Sequence, residues 1–304
     1  MNQRKNEEFI EKVKIRASKS LKIKEVFLYS EIFEKANQYL RVQKYLEYNK
    51  VEKILKNYFE PNHPLGYVMI DNNEKIVGFM GTIFSKKNID KRIVKLCNIH
   101  SWIVDKDYRL NAFYLLTSLP EEDIIFTAFT PVKTLIGLLE KFDFKKMKMN
   151  LNIVAFFNFS LLKKKKQFFI ERKIENFKNK LSDSDLNILK NYKNLPYEKF
   201  VIINKKQNLK PIFIIASKIK KKGFNILKFI YVSNKEEFKK KWYLLKSNIQ
   251  SEFNVNLAFN YFFDEKDNIF PSNIILSKTL KKEVCIKNFP ENKKLDILYS
   301  DLVE

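Results

Sequence analysis

The residues best suited to chemistry cluster between positions 100 and 113. Imidazole and carboxylate side chains at His100 and Asp105 are groups that can accept a proton. Arg109 follows at the predicted start of a helix, where a guanidinium and unsatisfied backbone N–H groups together favour a bound anion. The segment therefore combines acid–base groups with an anion-binding position.

The elements around this segment form a hairpin and a strand–helix step. Residues 66–85 alternate in hydrophobicity on either side of a polar turn at residues 71–74, which predicts an antiparallel hairpin. Residues 123–129 predict a further strand, and the helix after it closes near Phe144. These elements must position the segment that carries the chemistry.

The strand predicted over residues 94–104 runs directly into that segment. Its two-residue period places His100, Trp102 and Val104 on one face. A short helix is predicted over residues 110–119. The loop between this strand and this helix is therefore the expected site of ligand binding.

This order of elements resembles the acyl-CoA-dependent N-acyltransferases of the GNAT superfamily. The sequence Val104-Asp-Lys-Asp-Tyr-Arg109 is similar to the start of that family's cofactor loop. The family's loop continues with two small residues, where this chain has Ala112 and Tyr114. The family's last helix commonly ends Tyr-Glu-Lys-Leu-Gly-Phe, whereas here Leu139 and Asp143 replace its Tyr and Gly.

The resemblance implies acyl-CoA, or acetyl-CoA in particular, as the co-substrate. Its amide-rich pantetheine arm would pair with a splayed strand edge, and its pyrophosphate would lie at the loop and helix start. The cofactor-binding residues implied in this way are Ser101, Trp102, Ile103, Val104, Arg109, Leu110, Asn111, Ala112 and Phe113.

The resemblance also implies transfer of the acyl group to a small-molecule or peptide amine by direct attack in a ternary complex. Only a neutral amine attacks a thioester, so a base must remove a proton from the ammonium. His100 and Asp105 are the candidates for that base, and Tyr67 could replace the family's missing helix tyrosine as the acid. Further candidates are His63, Asp107 and Tyr114.

The predicted fold class is α/β, with a mixed, largely antiparallel central sheet flanked by helices. A strand, polar turn and strand over residues 200–217 repeat the first hairpin, which predicts a duplicated GNAT-like unit. The expected domains are an acyltransferase domain over residues 1–162 and a second, non-catalytic GNAT-like domain over 181–304, with the boundary at 163–180.

The net charge of +23 raises the possibility of a nucleic-acid partner. Lysine runs such as residues 163–166 contain no arginine, however. The chain is rich in Lys, Asn and Ile throughout, which indicates that the charge reflects overall composition. Nucleic-acid binding is therefore less favoured than acyl transfer. The sequence is also compatible with a catalytically degenerate scaffold and with a transferase that uses aminoacyl-tRNA as its donor.

Cysteine usage and hydropathy predict a cytoplasmic protein. Cys97 and Cys285 are far apart and in no metal-ligand spacing, so neither a disulfide framework nor a metal site is expected. Cys97 lies inside an apolar strand and is not predicted to be a nucleophile. No run approaches the roughly 18 apolar residues that a spanning helix needs, and the polar N-terminus predicts no secretory signal.

Overall fold

The computed structural model divides the chain into two compact units. The first contains the chain up to Met147 and the segment that begins at Glu283, and the second contains Lys148–Lys282. The residues described are 2–43, 52, 55, 59–89, 92–120, 123–129, 131–156, 168–205, 210–272 and 277–289.

The described residues form strands, α-helices and short 3-10 helices. The strands are β1 (Leu21–Val26), β2 (Gly66–Asp71), β3 (Ile76–Ile89), β4 (Arg92–Val104), β5 (Ile124–Ala128), β6 (Lys145–Ala155), β7 (Phe168–Glu171), β8 (Glu198–Asn204), β9 (Ile212–Lys221), β10 (Phe224–Val232), β11 (Leu257–Phe262) and β12 (Ser277–Lys287). The α-helices are α1 (Asn2–Ser18), α2 (Glu31–Arg41), α3 (Lys133–Leu139), α4 (Ile174–Phe177), α5 (Asp183–Tyr192) and α6 (Lys235–Phe253). The 3-10 helices are Lys106–Ser118, Glu140–Phe142, Lys178–Lys180 and Glu265–Asp267.

The sheet of the first unit has the strand order β1-β2-β3-β4-β5-β12. Its pairs are antiparallel except for β4 with β5, which is parallel. Alternate residues of β2 face opposite cores, since Tyr67 packs with α1, α3 and the Lys106–Ser118 helix, whereas Val68 packs with α2. The predicted mixed, largely antiparallel sheet flanked by helices is confirmed.

The second unit has the order β6-β11-β10-β9-β8-β7, with β10 and β11 parallel and its other described pairs antiparallel. Helix α6 covers this sheet because its apolar residues recur every three or four positions. Those buried residues are Phe238, Trp242, Leu245, Ile249 and Phe253. The pairing order of β8 to β11 matches that of β2 to β5, while the predicted duplication itself stays a prediction.

The division between the units differs from the sequence-based boundary at residues 163–180, part of which lies outside the described residues. β6 pairs with β11 from Asn150 onward, so the chain after Lys148 counts with the second unit. The end of β12 pairs with β5 and therefore belongs to the first unit. Among the described residues, no helix has both the length and the apolarity needed to cross a membrane.

Candidate active site

Strand β4 bends at Ser101. The register with β3 shifts at this point and Ser101 has a φ of 43°, which identifies a β-bulge. One inserted residue reverses the alternation of side chains, so Trp102 and Val104 join the core that contains Ile99. The prediction that Trp102 and Val104 share a face with His100 was therefore wrong.

β4 also extends beyond its parallel partner. Its described pairing with β5 runs from Lys95↔Ile124 to Asn98↔Thr127. The Thr127 hydroxyl donates to the Asn98 side chain at 3.1 Å where this pairing stops. Residues 99–104 therefore present an edge that β5 does not pair among the described residues, and an extended amide ligand can add to such an edge as a strand.

A cavity of about 820 Å³ adjoins this edge in the first unit. Its walls come from α1, the end of β4, the Lys106–Ser118 helix and α3. Ser101 alone among the predicted cofactor-binding residues is not in the lining. The others all line it: Trp102, Ile103, Val104, Arg109, Leu110, Asn111, Ala112 and Phe113.

The cavity is suited to a ligand that is mainly apolar. Val104 and Phe113 are buried in its wall, while Leu110 and Val132 are 80% and 59% exposed. The Trp102 ring packs edge-on against Phe113 at 5.4 Å between ring centres. Its Nε1 is buried and has no hydrogen-bond partner among the described residues, so it can donate to a ligand carbonyl. These features fit the acyl-pantetheine part of acyl-CoA.

The loop predicted between the strand ending at residue 104 and the helix starting at residue 110 lies almost entirely inside the 3-10 helix Lys106–Ser118. This helix begins four residues before the predicted start at Leu110. In a 3-10 helix each N–H after the first turn donates to the carbonyl three residues earlier. The backbone N–H groups of residues 109–113 are therefore used within the helix, and the expected free row of donors is absent from this described segment.

Hydrogen bonds from the first hairpin and from α2 fix the start of the 3-10 helix. The Tyr108 hydroxyl donates to Asp71 Oδ2 at 3.1 Å, and the Tyr39 hydroxyl donates to Asp105 Oδ1 at 2.9 Å. The N–H of Lys75 donates to Asp71 Oδ1 at 2.9 Å and lowers the pKa of that carboxyl. The hairpin turn and α2 together position the residues that precede Arg109.

We expect Tyr108→Phe to lower the midpoint of thermal unfolding by a few degrees, because Asp71 then loses its hydroxyl donor. Tyr29→Phe is the matched control, since Tyr29 is 87% exposed. Differential scanning calorimetry of both variants measures the effect. Equal midpoints would show that the bond does not stabilise the start of the helix.

The predicted catalytic residues do not line the cavity. His100 is buried, with Nδ1 3.0 Å from Ser101 Oγ and Nε2 without a partner among the described residues. Burial lowers the pKa of His100 to about 3, which makes it neutral and weakly basic at neutral pH. Tyr67 is buried in the core, where burial raises its pKa. Asp105 accepts the Tyr39 hydrogen bond, and the catalytic assignment of these residues stays a prediction.

Two further residues have clear structural surroundings. His63 stacks on Phe84 with 4.3 Å between ring centres and is not in the cavity lining. Cys97 is fully buried in the core, and burial raises the pKa of its thiol well above the ordinary value. A neutral, inaccessible thiol is a poor nucleophile.

Helix α1 contributes cavity residues that the sequence analysis did not identify. Phe9, Lys12, Val13 and Arg16 all line the cavity. Lys12, Val13 and Arg16 lie three, four and seven positions after Phe9, so all four share one face of the helix. Only Phe9 and Val13 of these four residues are apolar. Their separation by four positions was the sequence signal available for this helix face.

Comparisons with known proteins agree with this architecture. The chain matches no protein-family model and no curated protein sequence. It is similar to a solved GCN5-related N-acetyltransferase from Anabaena variabilis, at 12% identity and a TM-score of 0.56, over 88% of this chain and 72% of that one. A probable N-acyltransferase from Enterococcus faecalis matches at 11% and 0.56, over 87% and 71% of the two chains.

A third similar structure is a GCN5-related N-acetyltransferase from Kribbella flavida, at 9% identity and a TM-score of 0.52, over 88% of this chain and 70% of that one. Identities this low establish a common fold. The chain has the fold of the GNAT acyltransferases, and the structural part of the resemblance drawn from the sequence is confirmed.

Proposed function

We propose that the first unit transfers an acyl group from acyl-CoA to a primary amine. The observation that carries this proposal is the cavity at the end of β4, where the described part of β5 no longer pairs with it; eight of the nine predicted cofactor-binding residues line this cavity. An apolar interior beside a free strand edge suits an acyl-pantetheine arm. The fold it shares with GCN5-related N-acetyltransferases adds support.

The reaction is direct aminolysis in a ternary complex. The amine nitrogen attacks the thioester carbonyl carbon, the carbon–sulfur bond breaks, and the products are an amide and CoA. The amine loses a proton, and the CoA thiolate gains one. The burial and raised pKa of Cys97 favour this route over a covalent intermediate on the enzyme. The acceptor class is a small-molecule or peptide amine.

The proposed role of the second unit is non-catalytic. Ile269 and Phe270 are buried in its core, with the Phe270 ring 4.7 Å from Trp242 and 5.9 Å from Phe229 of β10. The Phe270 ring thus packs against both β10 and α6 in the core of the second unit. This packing favours a structural role for the second unit.

The test is thermal unfolding with saturating CoA thioesters, from acetyl-CoA to longer acyl chains. A ligand at about 100 times its Kd stabilises the folded protein by about 2.7 kcal/mol. Arg109→Ala should reduce the shift, because Arg109 lines the cavity, whereas Lys106→Ala should not, because Lys106 does not. No shift of the wild type with any thioester would contradict the proposal and favour a scaffold. Release of free CoA thiol with a panel of amines then identifies the acceptor.

A further inference from the structure

Three cations surround the cavity of the first unit. Lys12 and Arg16 come from α1, and Arg109 comes from the 3-10 helix. All three side chains are exposed, whereas Val104 and Phe113 are buried in the same lining. The positive charge therefore lies at the mouth of the cavity beside the exposed Leu110 and Val132, and the buried apolar side chains of Val104 and Phe113 lie deeper.

No described carboxylate forms an ion pair with these three cations. Other lysines of the first unit are paired, for example Lys146 with Glu140 at 3.0 Å and Lys35 with Glu31 at 2.7 Å. Like charges around one opening repel each other, and a bound anion relieves that repulsion. The mouth is therefore complementary to a polyanion.

The backbone at this place is poorly suited to bind a phosphate. The N–H groups of residues 109–113 donate within the 3-10 helix. The remaining free donors are at the start of that helix, where Asp105 and Asp107 place carboxylates. The Asp107 carboxylate opposes an anion at the helix start, whereas Asp105 forms an ion pair with Lys75 at 3.8 Å. Side-chain cations are the better partners for phosphate here.

We infer that Lys12, Arg16 and Arg109 together bind the phosphate groups of the CoA ligand. This inference rests on the proposed function and assigns α1 to the ligand site. Phe9 and Val13 of the same helix face cover the apolar part of the cavity. Helix α1 thus binds both ends of an amphiphilic ligand, and side chains replace the backbone donors that the 3-10 helix has used.

The experiment compares two ligands, CoA and S-acetylpantetheine, which lacks the phosphates. Lys12→Gln/Arg16→Gln should raise the Kd for CoA by at least about tenfold, since charge-assisted hydrogen bonds to phosphate are lost. The same variant should bind S-acetylpantetheine as the wild type does. Raising the salt concentration should weaken CoA binding to the wild type more than to the variant.

The matched control is Lys14→Gln/Lys19→Gln, which removes the same charge from exposed or half-buried positions outside this cavity. Isothermal titration gives each Kd, and unfolding of the unliganded variants verifies that they fold. If Lys12→Gln/Arg16→Gln and the control variant both bind CoA with the Kd of the wild type, the inference is overturned while the proposed function stands. If the wild type binds neither CoA nor its thioesters, the proposed function fails and the inference with it.

Discussion

Gly81→Ala will destabilise the first unit by about 3 kcal/mol, the upper part of the usual range for overpacking a core. A Cβ built at Gly81 of β3 lies 2.3 Å from His100 Cε1 and 2.5 Å from His100 Nε2. The imidazole is buried and so has little space into which it can move. The expected result is a lower urea midpoint with an unchanged slope.

Gly137→Ala provides the matched control. A Cβ at this position of α3 meets no heavy atom within 4 Å. Alanine is favoured over glycine in a helix by up to about 1 kcal/mol, so this variant should be more stable than the wild type. Replacing glycine by alanine should thus lower the stability at position 81 and raise it at position 137. A stable Gly81→Ala protein would mean that His100 does not pack over Gly81.

A double-mutant cycle connects the effect to the imidazole. His100→Ala alone creates a cavity and destabilises the fold. Added to Gly81→Ala, the same change removes the ring that the new methyl group meets. The two losses should therefore sum to more than the loss of the double variant. If the losses of the two single variants add up to the loss of the double variant, the new methyl group does not clash with His100.

Acid will destabilise the protein through His100 between about pH 6 and pH 3. The folded pKa is about 3, against about 6.5 for an unperturbed imidazole. Below pH 6.5 the unfolded chain binds a proton that the folded protein does not. Above about pH 6.5 the titration of His100 does not reduce the free energy of unfolding. As the pH approaches 3, it reduces that free energy by an amount on the order of 4 kcal/mol.

The measurement is the free energy of unfolding across this pH range for the wild type and for His100→Gln, which cannot titrate. Carboxyls with lowered pKa values, such as Asp71, add an acid-induced loss to both proteins. The difference between the two curves isolates the imidazole. It should be constant above pH 7 and change in favour of His100→Gln as the pH falls. Parallel curves down to pH 3 would show that His100 is not buried as a neutral group.

Much of the first unit could be predicted because its strands obey a two-residue period and its turns have polar sequences. β2 starts at Gly66 as predicted, and β4 and β5 lie within two residues of their expected bounds. The bulge at Ser101 could not be predicted, since a serine at positive φ has no sequence signature. That one residue decides which β4 side chains face the cavity.

The departures from the GNAT sequence pattern have different structural consequences. Asp143, at the usual glycine position, adopts the left-handed conformation with a φ of 64° and accepts a hydrogen bond from Asn6 at 2.9 Å. Leu139, at the usual tyrosine position, is buried in the core. Asp143 thus keeps the helix ending that a glycine would give, whereas Leu139 supplies no acid. The sequence alone could not distinguish these two outcomes.

The position of β12 has a consequence for synthesis of the protein on the ribosome. β5 gains its second neighbour only when residues 285–287 have been made, long after β5 itself has emerged. At about 5–20 residues per second, one edge of β5 waits roughly 10–30 s for its partner. Unpaired strand edges recruit other chains. Nascent molecules therefore pass through a period in which this edge of β5 is open to pairing with other chains.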